Sequence, residues 1–363
     1  MKIPYHKKFC LIEMEDYANY LFVAINWERM TNMPHEWGFE PIRYTGAEYI
    51  NSACKLFCLD DSYNEANRYN FQLLFNNPRA WDDLHKINKR NSDRLLMFSR
   101  GVKKLKANKL SNKELIKWID LAQAGQASVH VPRLAMWLLE TPENIITNYL
   151  HNYLDEIYKE IKKINIPPQE ALRILTTPTR ESNWIKEKKE LSKIAKEKNI
   201  TRKQKMLKRH TKKYEWLEYG LQGKILSLID FEDALQKIKH KNYEKKIKRE
   251  NEDLVRQRQE VERLYKIGKT HKKIFQIARD SLFVRLYSKD AQFFSYYAME
   301  NIFREFSKRT GLTLEQVRFL APGDFYKALV GGKKFNIITE ERQTYSLTMS
   351  DEGKTNYWTG NAA

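Results

Sequence analysis

The chain has 363 residues, 42% hydrophobic and 31% charged, and its 8 Trp, 20 Tyr and 17 Phe exclude an intrinsically disordered protein. Its 65 basic and 46 acidic residues give a formal charge of +19; such a field attracts phosphates, nucleic acid or acidic surfaces, although a lysine- and asparagine-rich composition alone also produces it. Three cysteines, Cys10, Cys54 and Cys58, exclude a disulfide framework at this length, and no run approaches the ~20 apolar residues of a membrane helix.

With 13 Gly and 10 Pro the chain has few breaks, and long helices are expected. The opening "MKIPYHKKFCLIEMEDY" meets acidic residues too early for a signal peptide, which makes the cytoplasm the expected location. Cys54 and Cys58 share a face if their segment is helical. Without a CxxC or a histidine pair to complete a metal set they read as buried thiols rather than zinc ligands. The stretch after Asn64 reads as two or more helices broken near Pro78, because the residue before a proline is biased away from helix. Ser111 and Glu114 have the spacing of a capping box. Thr141–Pro142–Glu143 reads as the start of another helix, whose Ile145, Tyr149, Tyr153, Ile157 and Ile161 repeat every four residues.

Pro167–Pro168 ends that helix, "QEALRIL" is a short one, and "TTPTRES" is a loop in which Thr177 or Ser182 caps a strongly charged helix. From Phe231 onward a long charged helix or helical hairpin is expected, interrupted at Gly268. A much more apolar helix follows from about Lys272 to Arg309, stopped by Gly311. After Gly332 there is a short helix at most. Then "TYSLTMS" and "KTNYWTG" flank Asp351–Glu352–Gly353 as a β-hairpin, which must dock on something because isolated hairpins are marginal in water. The expected fold is all-α: a multi-helix array with long charged helices and a small C-terminal β-hairpin. It divides into an N-terminal helical region (1–170), a second helical region (171–332) and a tail (333–363).

Phosphate-loop, dinucleotide-loop, HExxH and GxSxG signatures are absent. The basic runs lack the aromatic, zinc-knuckle or arginine-rich signatures of RNA-binding modules. In "LKRHTKKYEWLEYGLQG", His210 and Tyr214 lie four apart on a stripe with Leu207, Leu217 and Leu221. That pattern admits a buried, hydrogen-bonded histidine or one lining a pocket with Tyr214 and Trp216. The lysines fall on the wet side.

From about Ala171 onward the order of landmarks resembles the helical segment of phosphoenolpyruvate-utilising phosphotransferases of the phosphoenolpyruvate synthase-like and rifampin phosphotransferase-like types. The residues are "LRILTTPTRESNWIKEKKELSKIA", "LKRHTKKYEWLEYGLQG", "FEDALQKI", the apolar helix ending "REFSKRTGL", and "LAPGDFYKALVGGKKFNIITEERQTYSLTMSDEGKTNYWTG". The resemblance implies an acceptor-binding helical domain working with an ATP-grasp module and a swivelling phosphohistidine domain. Neither module's motif is found in the chain. A substrate-binding or scaffolding component is therefore expected, not catalytic on its own and without a cofactor. Its partners would be a separately encoded ATP-grasp or phosphohistidine protein and a phosphorylated small molecule, held by His210, Tyr214, Trp216 and Arg180. A nucleic-acid-associated basic helical protein is the alternative, and no membrane partner is expected.

Overall fold

The apolar run near the C-terminus becomes the axis of the molecule. The computed structural model describes residues 8–16, 20–31, 38–140, 144–161, 164–221, 223–238 and 243–360. Within it helix α11 spans Lys269–Thr310, 42 residues, and packs along α3 (Pro78–Val102) and α4 (Asn112–Leu138). Its side chains enter three hydrophobic clusters: Ile274, Phe275 and Ile277 in one, Met299, Ile302 and Phe306 in another, Ala291 and Phe294 in a third. Gly311 ends it at φ 74°, the left-handed conformation that glycine adopts without strain.

Several local expectations are met for the reasons that suggested them. Helix α2 (Asp60–Asn76) stops before Pro78, and Asn77 sits at φ −144°, ψ 70°, outside the helical region. The Ser111–Glu114 capping box is formed, and Ser182 caps α7 (Asn183–Ala195) through Ile185 N–H. The start assigned to Thr141–Pro142–Glu143 lies outside the described residues. Helix α5 (Ile145–Glu160) is present, but its most deeply buried face is Ile146, Leu150 and Leu154. The tyrosines and isoleucines of the expected stripe flank that face, partly buried. Helices α6 (Pro168–Thr176), α8 (Ile200–Tyr214), α9 (Leu228–Ile238) and α10 (Tyr243–Leu264) follow, then α12 (Leu314–Arg318), α13 (Asp324–Leu329) and α14 (Asn336–Thr344) after α11.

The expected all-α fold needs a correction: the chain is mostly helical, but its N-terminal part supplies three strands. Strands β1 (Phe9–Glu15), β2 (Thr45–Ile50), β3 (Ala53–Leu59), β4 (Tyr345–Asp351) and β5 (Lys354–Thr359) form one antiparallel sheet in the order β1-β3-β2-β4-β5. The C-terminal hairpin is the predicted one, and it docks on β2, with Ala47 opposite Thr348. The β2–β3 hairpin escapes sequence reading because its turn is Asn51–Ser52, at φ 49° and 68°, without the usual glycine. Gly46 lies where a Cβ would come 2.5 Å from the Phe57 ring and 2.6 Å from Thr348 O, so only glycine fits between the paired strands. Cys54 and Cys58 belong to β3 rather than to a helix. They still share a face and are buried thiols, as expected.

Helix α1 (Tyr20–Met30) and the sheet meet the helical array around Tyr20, Tyr49 and Phe319, whose rings lie 5.1 to 6.0 Å apart. Below them Arg342 of α14 donates to Asp324 Oδ2 at 2.7 Å and Phe319 O at 3.0 Å. Among the described residues no helix is long and apolar enough to cross a membrane.

Candidate functional site

The four residues singled out in the sequence do not converge on one pocket. His210 is fully buried. Its Nε2 lies 2.9 Å from Glu187 Oε1, and its ring is wedged between Tyr214 and Phe231, centroids 4.8 and 5.0 Å away. Tyr214 donates to Glu190 at 3.1 Å; burial would raise that carboxyl, but Lys213 and Tyr214 hold it below its ordinary value. Trp216 turns to the other side, donating to Lys213 O and packing on Phe294. Arg180, in the loop before α7, is exposed and lies 5.2 Å over the Phe283 ring, in a different cluster. His210 and Tyr214 thus form a closed helix-packing core. Only Glu187 borders a neighbouring hollow of about 390 Å³, lined also by Trp184, Leu191, Leu217 and Phe231.

A larger cavity, about 530 Å³, opens where the edge strand β1 faces α4 and α11. That is within the usual range for small-molecule sites. Its helical wall carries His130 and Arg133 from α4 and Arg285, Lys289, Gln292 and Tyr296 from α11. Glu218, Tyr219, Gly220, Leu221 and Gly223, from the end of "LKRHTKKYEWLEYGLQG", form part of a side.

The helical wall is shaped by a proline. Pro132 sits inside α4, where it has no N–H for Ser128 O and its ring crowds that carbonyl. Two asparagines of α3 supply donors instead: Asn91 Nδ2 to Ser128 O and Asn88 Nδ2 to Val129 O, both 2.8 Å. The helical turn so stabilised carries His130 and Arg133. The Arg133 guanidinium donates to His130 Nδ1 at 2.8 Å, and Gln292 Nε2 approaches the same atom at 3.3 Å. A guanidinium is only a donor, so Nδ1 is the acceptor and the imidazole is neutral with its hydrogen on Nε2. Burial, reinforced by Arg133, holds the His130 pKa well below 6.5.

Burial also lowers the pKa values of both Arg133 and Arg285, more than the nearby acids restore. The protein thus leaves two guanidiniums under-compensated in one cavity. Tyr219 is fixed on the adjoining side: its hydroxyl donates to Glu300 Oε2 at 2.9 Å, and buried Arg318 donates to that same oxygen at 2.6 Å. Among the described residues no cluster of His, Cys, Asp and Glu has the geometry of a metal site.

These lining residues were not picked out in the sequence because they come from six separated segments. Two local signals existed: Pro132 within an otherwise helical run, beside His130 and Arg133, and the close Gly220 and Gly223. A Cβ at Gly223 would meet the Glu218 and Tyr219 carbonyl oxygens at 2.6 Å. Compared with protein-family models, with curated proteins and with solved structures, the chain gives no match.

Proposed function

We propose that the chain is a helical substrate-binding component of a phosphoenolpyruvate synthase-like phosphotransferase, holding a small oxyanion, carboxylate or phosphate, in the cavity between β1, α4 and α11. The observation that carries the binding part is the pair of under-compensated guanidiniums, Arg133 and Arg285, facing one cavity. An anion there regains the electrostatic energy that burial removed, and a planar guanidinium suits carboxylate and phosphate alike. The phosphotransferase part is carried by the ordered landmarks of residues 171–363. One of them, "LKRHTKKYEWLEYGLQG", ends in the cavity side. In this reading the chain binds and orients its ligand, while phosphate transfer needs a partner of ATP-grasp or phosphohistidine type.

The test is calorimetric titration of the full chain with pyruvate and with inorganic phosphate, for wild type and Arg285→Gln. Binding that weakens at least about tenfold in the variant is expected, since losing one charge-assisted contact is worth that much. No binding of either anion rejects the site. Failure to capture an ATP-grasp or phosphohistidine protein from the native source rejects the phosphotransferase assignment but leaves the site intact.

One observation favours a second reading, a polyanion-binding protein. Lys205, Lys208, Arg209 and Lys212 line a shallow groove on the exposed side of α8 and have no ion pair among the described residues. Nucleic-acid binding through this stripe must weaken steeply with salt. Unchanged affinity in a variant with all four cations replaced by Gln, or no binding at low ionic strength, removes this reading.

A further inference from the structure

The wall opposite the arginines is acidic, and a register shift puts it there. Cys10 pairs with Cys58 and Leu11 with Phe57, but the next partners are Glu13 with Leu56 and Glu15 with Cys54. Uninterrupted pairing would oppose Leu56 with Ile12 and Cys54 with Met14. The bulge at Ile12 moves the following residues by one position, which in a strand exchanges the two faces. Ile12 stays buried in the core with Leu56 and Cys54, while Glu13 and Glu15 come opposite those two residues and reach the cavity. Glu13, Glu15 and the adjoining Asp16 all line it.

Acids and bases are arranged across the space without closing it. Glu13, Glu15 and Asp16 stand on the strand side and Arg133, Arg285 and Lys289 on the helix side. Among the described residues none of these six is ion-paired with another, although they interact at longer range. Burial, and then Glu13, raises the Glu15 carboxyl, just as burial lowers the two arginines. Between the charged walls lie Leu134, Leu221 and Phe293.

We infer that the cavity is a site for a zwitterion with an apolar body, of the amino-acid type, whose oxyanion meets Arg133 and Arg285 and whose ammonium group meets Glu13 and Glu15. This rests on the anion-site reading and adds the second charge. A ligand of one sign would meet only one of the two charged walls, whereas a zwitterion spanning the cavity meets both at once.

Three near-isosteric probes separate the possibilities on the wild-type chain: L-phenylalanine, 3-phenylpropionate and 2-phenylethylamine. A parallel set with phosphate in place of carboxylate is O-phosphoethanolamine, ethyl phosphate and ethylamine. In at least one set the zwitterion is expected to bind about tenfold or more tighter than either singly charged analogue. The Glu13→Gln/Glu15→Gln variant, whose amides keep the shape, should lose that advantage and bind the zwitterion like the anion. Equal binding of zwitterion and anion, unaffected by this variant, overturns the inference and leaves the anion site standing. Preference for the amine, or no binding in either set, overturns both.

Discussion

Two histidines, His130 and His210, sit in polar networks of similar make-up and opposite purpose. His210 is closed in on every side, its carboxylate partner Glu187 is itself buried, and aromatic rings fill the remaining space. His130 borders a cavity of about 530 Å³, and a cation, the Arg133 guanidinium, donates to it at 2.8 Å. The first network pairs a buried imidazole with a buried carboxylate and stabilises a helix junction. The second leaves charge unsatisfied, which favours binding over stability. A helical stripe with an aromatic residue four positions away therefore marked burial, whereas the open site lies around the Pro132 turn of α4.

The largest effect that could break this comparison is at His210. His210→Ala leaves Glu187 buried without its partner and opens a void, so a loss of about 3–5 kcal/mol in urea unfolding is expected. Anion binding by the folded fraction should persist. A small stability change with lost binding would reverse the roles assigned to the two networks.

Acid should act next. Burial lowers His85, which is hydrogen-bonded to Ser281 at 2.9 Å, to about 4 from 6.5. A base whose folded pKa lies below its unfolded value stabilises the fold above the unfolded pKa and loses that contribution as pH falls. Stability should thus drop by about 3 kcal/mol between about pH 6.5 and 4 from His85 alone. His130 adds to the slope in the same direction. Unfolding curves across this range should flatten in His85→Asn and, separately, in His130→Gln.

A middle-sized effect is expected at the support of the cavity wall. Asn88→Ala leaves the Val129 carbonyl without its side-chain donor and should cost about 1–3 kcal/mol while weakening ligand binding, because His130 and Arg133 follow that carbonyl in sequence. The smallest effect sharpens the contrast most. Arg285→Gln removes a cation that has no ion pair among the described residues, so stability in the absence of ligand should change by less than about 1 kcal/mol in either direction. A large loss would make Arg285 a structural residue.

Helices were legible where their signals are local. The capping box at Ser111, the break at Pro78 and the stop at Gly311 each depend on a few neighbouring residues. The sheet was legible only at its C-terminal hairpin, where Glu352–Gly353 makes a recognisable turn. The other hairpin turns on Asn51–Ser52, and its partner strand lies far along the chain. The site was least legible. The faces of β1 depend on a bulge that no residue type announces, and Glu13 meets the α11 cations only through topology.

The pairing of Ala47 with Thr348, 301 residues apart, also imposes an order of events during synthesis. At roughly 5–20 residues per second, β2 and β3 leave the ribosome about 15–60 s before the strand that pairs with β2 exists. Throughout that interval β2 has one unpaired edge, open to neighbouring nascent chains. The last strands to be made therefore close an edge that has been waiting since the first sixty residues, and β1 is fixed at the cavity mouth of a sheet completed only then.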